Sequence, residues 1–174
     1  MNDLKGNDLM LHYLKIRNYD ASNGPGIRVT VYFTGCCNNC KGCFNPETHD
    51  PNAGELFTKE TEDYIFELMK KPMISALNLQ GGDPFFPQST QEIYEFLVDF
   101  RKKFKNTKDV WVWTGYTIEE LYKREDKYTH EILKLIDVLV DGPFILEKKD
   151  LRLKWRGSSN QRIFDMKTGK IIED

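Results

Sequence analysis

All four cysteines of this 174-residue chain fall between positions 36 and 43, and no other feature restricts the fold as strongly. The stretch reads Thr34-Gly35-Cys36-Cys37-Asn38-Asn39-Cys40-Lys41-Gly42-Cys43-Phe44-Asn45-Pro46. Cys36, Cys40 and Cys43 are spaced C-x3-C-x2-C, with Cys37 as an extra thiol. Thiolates this close in sequence surround one soft metal ion or one iron–sulfur cluster, so the fold must present the loop as a unit. Three thiolates on a four-iron cluster leave one iron without a protein ligand, open to a substrate. Other readings share the spacing. Zinc could be held by the same three residues with Cys37 or His49 as the fourth ligand, although adjacent cysteines rarely chelate one small tetrahedral ion. A disulfide pair lacks the spread of cysteines that staples a small secreted fold. Inert buried thiols sit poorly in a loop rich in Gly, Asn and Lys.

The residues around this loop alternate between strand and helix patterns. Residues 11–19 alternate in part and read as an edge strand, followed by the turn Ser22-Asn23-Gly24-Pro25-Gly26. Residues 27–33 are β-branched and aromatic, and this strand delivers the chain straight into the cysteines. Thr58 caps a helix over about 59–71 that Pro72 ends. A buried strand at 74–79 runs into Gln80-Gly81-Gly82-Asp83-Pro84. Ile93, Phe96, Leu97, Phe100 and Phe104 recur at helical spacing, as core residues of a helix over about 89–104. Strands at 109–113 and 138–141 exit at Thr114-Gly115 and Asp141-Gly142, with a capping box at Thr117 and a helix near 128–136 between them.

About six strands are too few for a complete eight-stranded barrel. The α/β expectation is therefore an incomplete (β/α)6-type parallel barrel, open on one side, forming a single domain over 1–174 with peripheral tails at 1–10 and 164–174. Its C-terminal edge gathers the cysteine loop, Gly81, Gly82, Asp83, Thr114, Asp141 and the run Gly157-Ser158-Ser159-Asn160, where open α/β folds carry their chemistry. His12, His49 and His130 have no motif around them and are expected at the surface. A net charge of −2 supplies no field for nucleic acid, and no apolar run approaches a membrane span. Clustered reduced thiols and no apolar targeting core after Met1 lead to the cytoplasm as the expected compartment.

With the motifs in hand, the chain resembles the radical S-adenosylmethionine (SAM) enzymes, whose hallmark is a C-x3-C-x2-C loop followed by a Gly-Gly-Glu-Pro-like stretch; Asp83 stands here where Glu is commoner. Within them, Asn23-Gly24-Pro25-Gly26, Gly42-Cys43-Phe44-Asn45-Pro46, Gly81-Gly82-Asp83-Pro84, Trp113-Thr114-Gly115-Tyr116, Val140-Asp141-Gly142 and 155–161 follow the order found in the glycyl-radical-enzyme activases of anaerobic ribonucleotide metabolism. The resemblance implies a [4Fe-4S] cluster on Cys36, Cys40 and Cys43, with SAM on the open iron. It implies SAM contacts from the backbone of Gly81, Gly82 and Asp83, and from Thr114, Asp141 and Ser158. It further implies a glycine of the anaerobic ribonucleoside-triphosphate reductase large subunit as target, and a low-potential electron donor such as a flavodoxin.

Overall fold

The computed structural model describes residues 10–172. Strand β1 (His12–Asp20) turns back through residues 21–26 into β2 (Ile27–Phe33), and the two pair antiparallel. Gly24 (φ +108°) and Gly26 (φ +78°) carry this turn through left-handed backbone that residues with a Cβ avoid. After the cysteine loop, the two-residue strand β3 (Glu55–Leu56) pairs with the outer edge of β1. Helix α1 (Lys59–Met69) opens at Thr58, whose hydroxyl accepts from the Thr61 amide in a capping box. It crosses to β4 (Ile74–Gly81), which lies parallel to β2. Helix α2 (Thr90–Phe104) leads to β5 (Asp109–Trp113), and α3 (Ile118–Tyr122) with α4 (Lys127–Leu135) leads to β6 (Val138–Asp141). Each of these strands is parallel to the one before. Strands β7 (Arg162–Asp165) and β8 (Lys170–Ile171) close the sheet antiparallel, in the order β3-β1-β2-β4-β5-β6-β7-β8.

The expected parallel six-strand repeat is thus corrected to four parallel strands, β2, β4, β5 and β6, inside antiparallel flanks. The connections explain the difference. Where a helix intervenes the chain returns to the starting end and pairs parallel; a tight turn forces antiparallel pairing. Residues 21–26 are such a turn, and the long stretch between β6 and β7 contains no α-helix. The tail expected from 164 onward is in part core. Phe164 is buried in the main apolar cluster, because β7 adds to the edge of β6. Residues 1–9 and 173–174, also expected as tails, lie outside the described residues.

Strand alternation divides the sheet chemically. Val29, Val31, Phe33, Leu77, Leu79, Val110, Val112 and Leu139 pack with Phe96, Phe100 and other helix residues in one core. The alternate positions carry a different set. Arg28 is buried over Trp111, 4.3 Å from the ring centroid, and donates to Asn78 Oδ1 at 2.8 Å. Thr30 Oγ1 donates to Asp20 at 2.6 Å and accepts from Asn78 Nδ2 at 3.2 Å. Trp111, Val138, Val140 and Ile163 form a second apolar cluster, with Trp113 and Trp155 against it. One face is therefore a helix-covered core, and the other holds a buried hydrogen-bonded network of Asp20, Arg28, Thr30 and Asn78. Among the described residues no helix is long and apolar enough to cross a membrane.

Candidate cofactor site

A cavity of about 380 Å³ opens where β2, β4, β5 and β6 end, within the roughly 300–1,000 Å³ usual for ligand sites. Cys36, Cys40 and Cys43 line it, together with Gly81, Gly82, Thr114 and Gly115. Cys37 is exposed and is not among the lining residues.

Backbone hydrogen bonds fix the root of the cysteine loop. The Gly35 amide donates to the Thr48 carbonyl at 2.9 Å and the Cys36 amide to the His49 carbonyl at 3.3 Å. From the neighbouring strand end, the Gly82 amide donates to the Phe33 carbonyl at 2.9 Å and the Asp83 amide to the Gly35 carbonyl at 2.8 Å. A Cβ on Gly82 would lie 2.4 Å from the Gly35 oxygen and 2.8 Å from the Thr48 oxygen. Both glycines thus have a structural reason independent of any ligand: the ends of the cysteine loop cross too close to Gly82 for a side chain, and the Phe33 oxygen of β2 would lie 2.3 Å from a Cβ on Gly81.

The Asp83 carboxylate locks this junction from below. It is buried, and it accepts from the Phe85 amide at 3.0 Å, the Gly115 amide at 2.9 Å and the Thr114 hydroxyl at 2.8 Å. Asn38 Nδ2, from inside the C-x3-C spacer, donates to it at 2.9 Å. One side chain thereby ties the cysteine loop to the ends of β4 and β5. Burial pushes the Asp83 carboxyl above the usual range, against the pull of the Phe85 and Gly115 amides and the Thr114 hydroxyl.

The thiols fit an iron–sulfur cluster by donor chemistry. Cys36, Cys40 and Cys43 line one cavity, and the sulfurs of two of them accept from nitrogen donors, as cluster ligands commonly do. The Asn45 amide lies 3.4 Å from Cys43 Sγ and Asn38 Nδ2 lies 3.6 Å from Cys36 Sγ. Among the described residues, no three His, Cys, Asp or Glu side chains converge as ligands of a single ion. Burial pushes the Cys36 thiol up to about 11 and raises that of Cys40. Metal binding at these sulfurs therefore displaces protons.

Comparison with known proteins agrees with this geometry. A family model described as a 4Fe-4S single cluster domain matches residues 22–164. An anaerobic ribonucleoside-triphosphate reductase-activating protein of Vibrio cholerae is 42% identical over 155 residues, covering 88% of this chain and 97% of the relative. Proteins of the same name from Escherichia coli and Haemophilus influenzae are 38% and 40% identical, covering 90% of this chain and 100% and 99% of their own lengths. The chain belongs to the family of anaerobic ribonucleoside-triphosphate reductase-activating proteins.

In this member of the activating-protein family, the other expected contacts divide. Thr114 lines the cavity, but its hydroxyl is committed to Asp83. Asp83 meets the site through its backbone neighbours, since its carboxylate is used inside the protein. Asp141 and Ser158, expected as SAM contacts, are both buried and are not among the residues that line the cavity, although their neighbours Gly142 and Gly157 are. The Asp141 carboxylate takes the Ile118 amide at 2.7 Å and Arg162 Nε at 3.0 Å. The Ser158 hydroxyl takes the Ile145 amide at 3.2 Å. Their position at a strand end and in a loop was legible; the direction of their side chains was not. His49, expected at the surface, lines the cavity, because the Cys36 amide pulls its backbone inward.

Sequence reasoning missed Asn38 and Gln80. Asn38 lay in plain view as the spacer of the cysteine motif. Gln80 precedes the glycine pair, on the alternate positions of β4 with Asn78; it lines the cavity, and its buried Nε2 has no hydrogen-bond partner among the described residues.

Proposed function

We propose that the chain is a radical SAM activase, working at the open C-terminal edge of a partial barrel-like sheet. The observation that carries this reading is the placement of Cys36, Cys40 and Cys43 on one cavity wall against Gly81 and Gly82, with Cys37 left outside. When bound there, a [4Fe-4S] cluster would supply one electron, received from a low-potential donor of the flavodoxin class, to the sulfonium of SAM, releasing methionine and the radical that takes hydrogen from a glycine of the anaerobic ribonucleotide reductase.

The chain's own residues hold and shield. Cys36, Cys40 and Cys43 supply the thiolates, while the Asn38 and Asn45 donors stabilise negative charge on sulfur. The backbone of Gly81 and Gly82 offers acceptors to the ligand's ammonium group. The Gln80 carboxamide offers a donor to a ligand oxygen. Phe44, Phe144 and Trp155 bound the cavity with apolar surface and keep water from a reactive species. The names carried by the relatives support the reductase as partner.

The test is anaerobic reconstitution followed by low-temperature electron paramagnetic resonance, with and without SAM. A reduced [4Fe-4S] signal that changes on adding SAM is the expected result. Cys36→Ala, Cys40→Ala and Cys43→Ala should each lose the signal, and Cys37→Ala should keep it. A colourless protein that holds zinc, and that releases it on His49→Ala, would overturn the proposal.

A further inference from the structure

Resting on the activase reading, the geometry points to the loop at 144–156 as the docking surface for the partner's polypeptide, received as a segment that combines acidic with apolar side chains. The loop is pinned at its base. Lys149 and Ser158 form an antiparallel bridge, the Asp150 amide donates to the Gly157 carbonyl at 3.2 Å, and the Ser159 amide to the Lys148 carbonyl at 2.9 Å. Above the base the side chains alternate: Leu151, Leu153 and Trp155 line the cavity, whereas Arg152 and Lys154 are exposed and do not. Trp155 is the inward anchor. Its carbonyl accepts from Trp113 Nε1 at 2.7 Å, and its ring meets Trp111 edge-on at 5.3 Å. This hold takes Trp155 to φ +57°, which bulky residues rarely adopt and which persists where the surroundings impose it, often at ligand clamps.

The anchored loop leaves apolar surface open beside the cysteines. Leu151 is 81% exposed and Phe44 55%, and Phe44 packs against Phe144 at 5.0 Å, joining the cysteine loop to this segment. An uncovered apolar patch with a polar rim marks an interaction site. The rim here is cationic: over 147–154, Lys148, Lys149, Arg152 and Lys154 outnumber Glu147 and Asp150, on a chain whose net charge is −2. Arg152 already neutralises Asp150 at 2.8 Å. Complementarity calls for an acidic partner, and the leucines call for apolar side chains, which a phosphate backbone lacks. Because the loop forms the cavity rim, a chain seated on it is delivered toward the thiols.

The experiment measures anaerobic association of the cluster-loaded protein with the purified reductase large subunit, at low and high salt. The charge reversal Arg152→Glu with Lys154→Glu should weaken binding by about ten-fold at low salt and flatten its salt dependence. Leu151→Asp should weaken it comparably; since that side chain is already exposed, the variant keeps the measurement meaningful if the double reversal loses iron. Wild-type affinity in both variants would overturn the docking surface and leave the activase reading standing. A cluster-loaded wild type that responds to SAM but neither binds nor activates the reductase would defeat the activase reading, and the docking surface with it. Equal binding to a random duplex DNA would assign the rim to polyanions in general. A dimer abolished by Leu151→Asp would assign it to self-association. Either result overturns the proposal.

Discussion

Replacing Asp83 by alanine removes the acceptor shared by Asn38, Phe85, Thr114 and Gly115, in a side chain that is 1% exposed. Hydrogen bonds to a charged group contribute roughly 1.5–3 kcal/mol each, so four summed independently approach the whole stability of a domain. They do not sum, because the donors share two oxygens and water can enter the vacated space. Breaking a buried network by removing one partner costs about 3–5 kcal/mol, and that is the value expected here. At about 2–4 °C per kcal/mol for a chain of this size, the midpoint of thermal unfolding falls by on the order of 10 °C. Urea unfolding of the metal-free protein gives the free energy directly. Asp83→Asn separates shape from chemistry. The Phe85 amide donates to one oxygen and the Gly115 amide to the other, so an amide nitrogen must face a backbone donor whichever way it turns, even if Asn38 flips and the Thr114 hydroxyl rotates to accept. The isosteric variant should therefore still lose about 2 kcal/mol. Thr114→Val combined with Asp83→Ala should show a coupling of at least about 0.5 kcal/mol. A loss below about 1 kcal/mol for Asp83→Ala, or strict additivity with Thr114→Val, would refute the idea that this carboxylate joins the cysteine loop to the sheet.

Further outcomes follow from single contacts. Gly82→Ala drives a Cβ to 2.4 Å from the Gly35 oxygen, so it should destabilise by more than about 2 kcal/mol in urea, whereas Gly169→Ala, with nothing within 4 Å but φ +68°, should cost only about 1 kcal/mol. Burial raises the Asp137 carboxyl, but Arg101 at 2.6 Å, Lys167 at 2.9 Å and the Val110 amide outweigh it and leave it below the ordinary range. Its contribution is full above the unfolded value of about 3.9 and is lost as pH falls through the lower folded value, so wild type should lose more stability than Asp137→Asn between neutral and strongly acid pH. Equal slopes in urea titrations at several pH values would count against that ion pair. Because burial raises the Cys36 and Cys40 thiols, iron loading during anaerobic reconstitution should release protons and become more complete as pH rises. Iron content independent of pH would place the ligands elsewhere.

Much of the site was legible because it is local in sequence. The C-x3-C-x2-C spacing confines three donors to one loop whatever surrounds it, and the apolar run at 27–33 requires a strand that ends there. Helix starts were readable at Thr58 and Thr117 because a cap closes within three residues of its own backbone. The parallel centre followed from the helices between strands, whereas the antiparallel flanks depended on connections whose length conceals whether the chain returns. That is why the residues from 164 onward, Phe164 included, were read as a peripheral tail.

Residue types, spacing and order by themselves determined the chemistry this chain can carry, because thiolates in one short loop need no long-range contact to be neighbours. Only the tertiary structure decided which polar residues face that chemistry. Asp83, Asp141 and Ser158 all end strands or loops at the correct edge, yet their side chains are consumed by donors that lie 2 to 45 positions away in sequence. A buried carboxylate or hydroxyl must find partners wherever the fold supplies them, and that requirement is visible only once the strands are side by side.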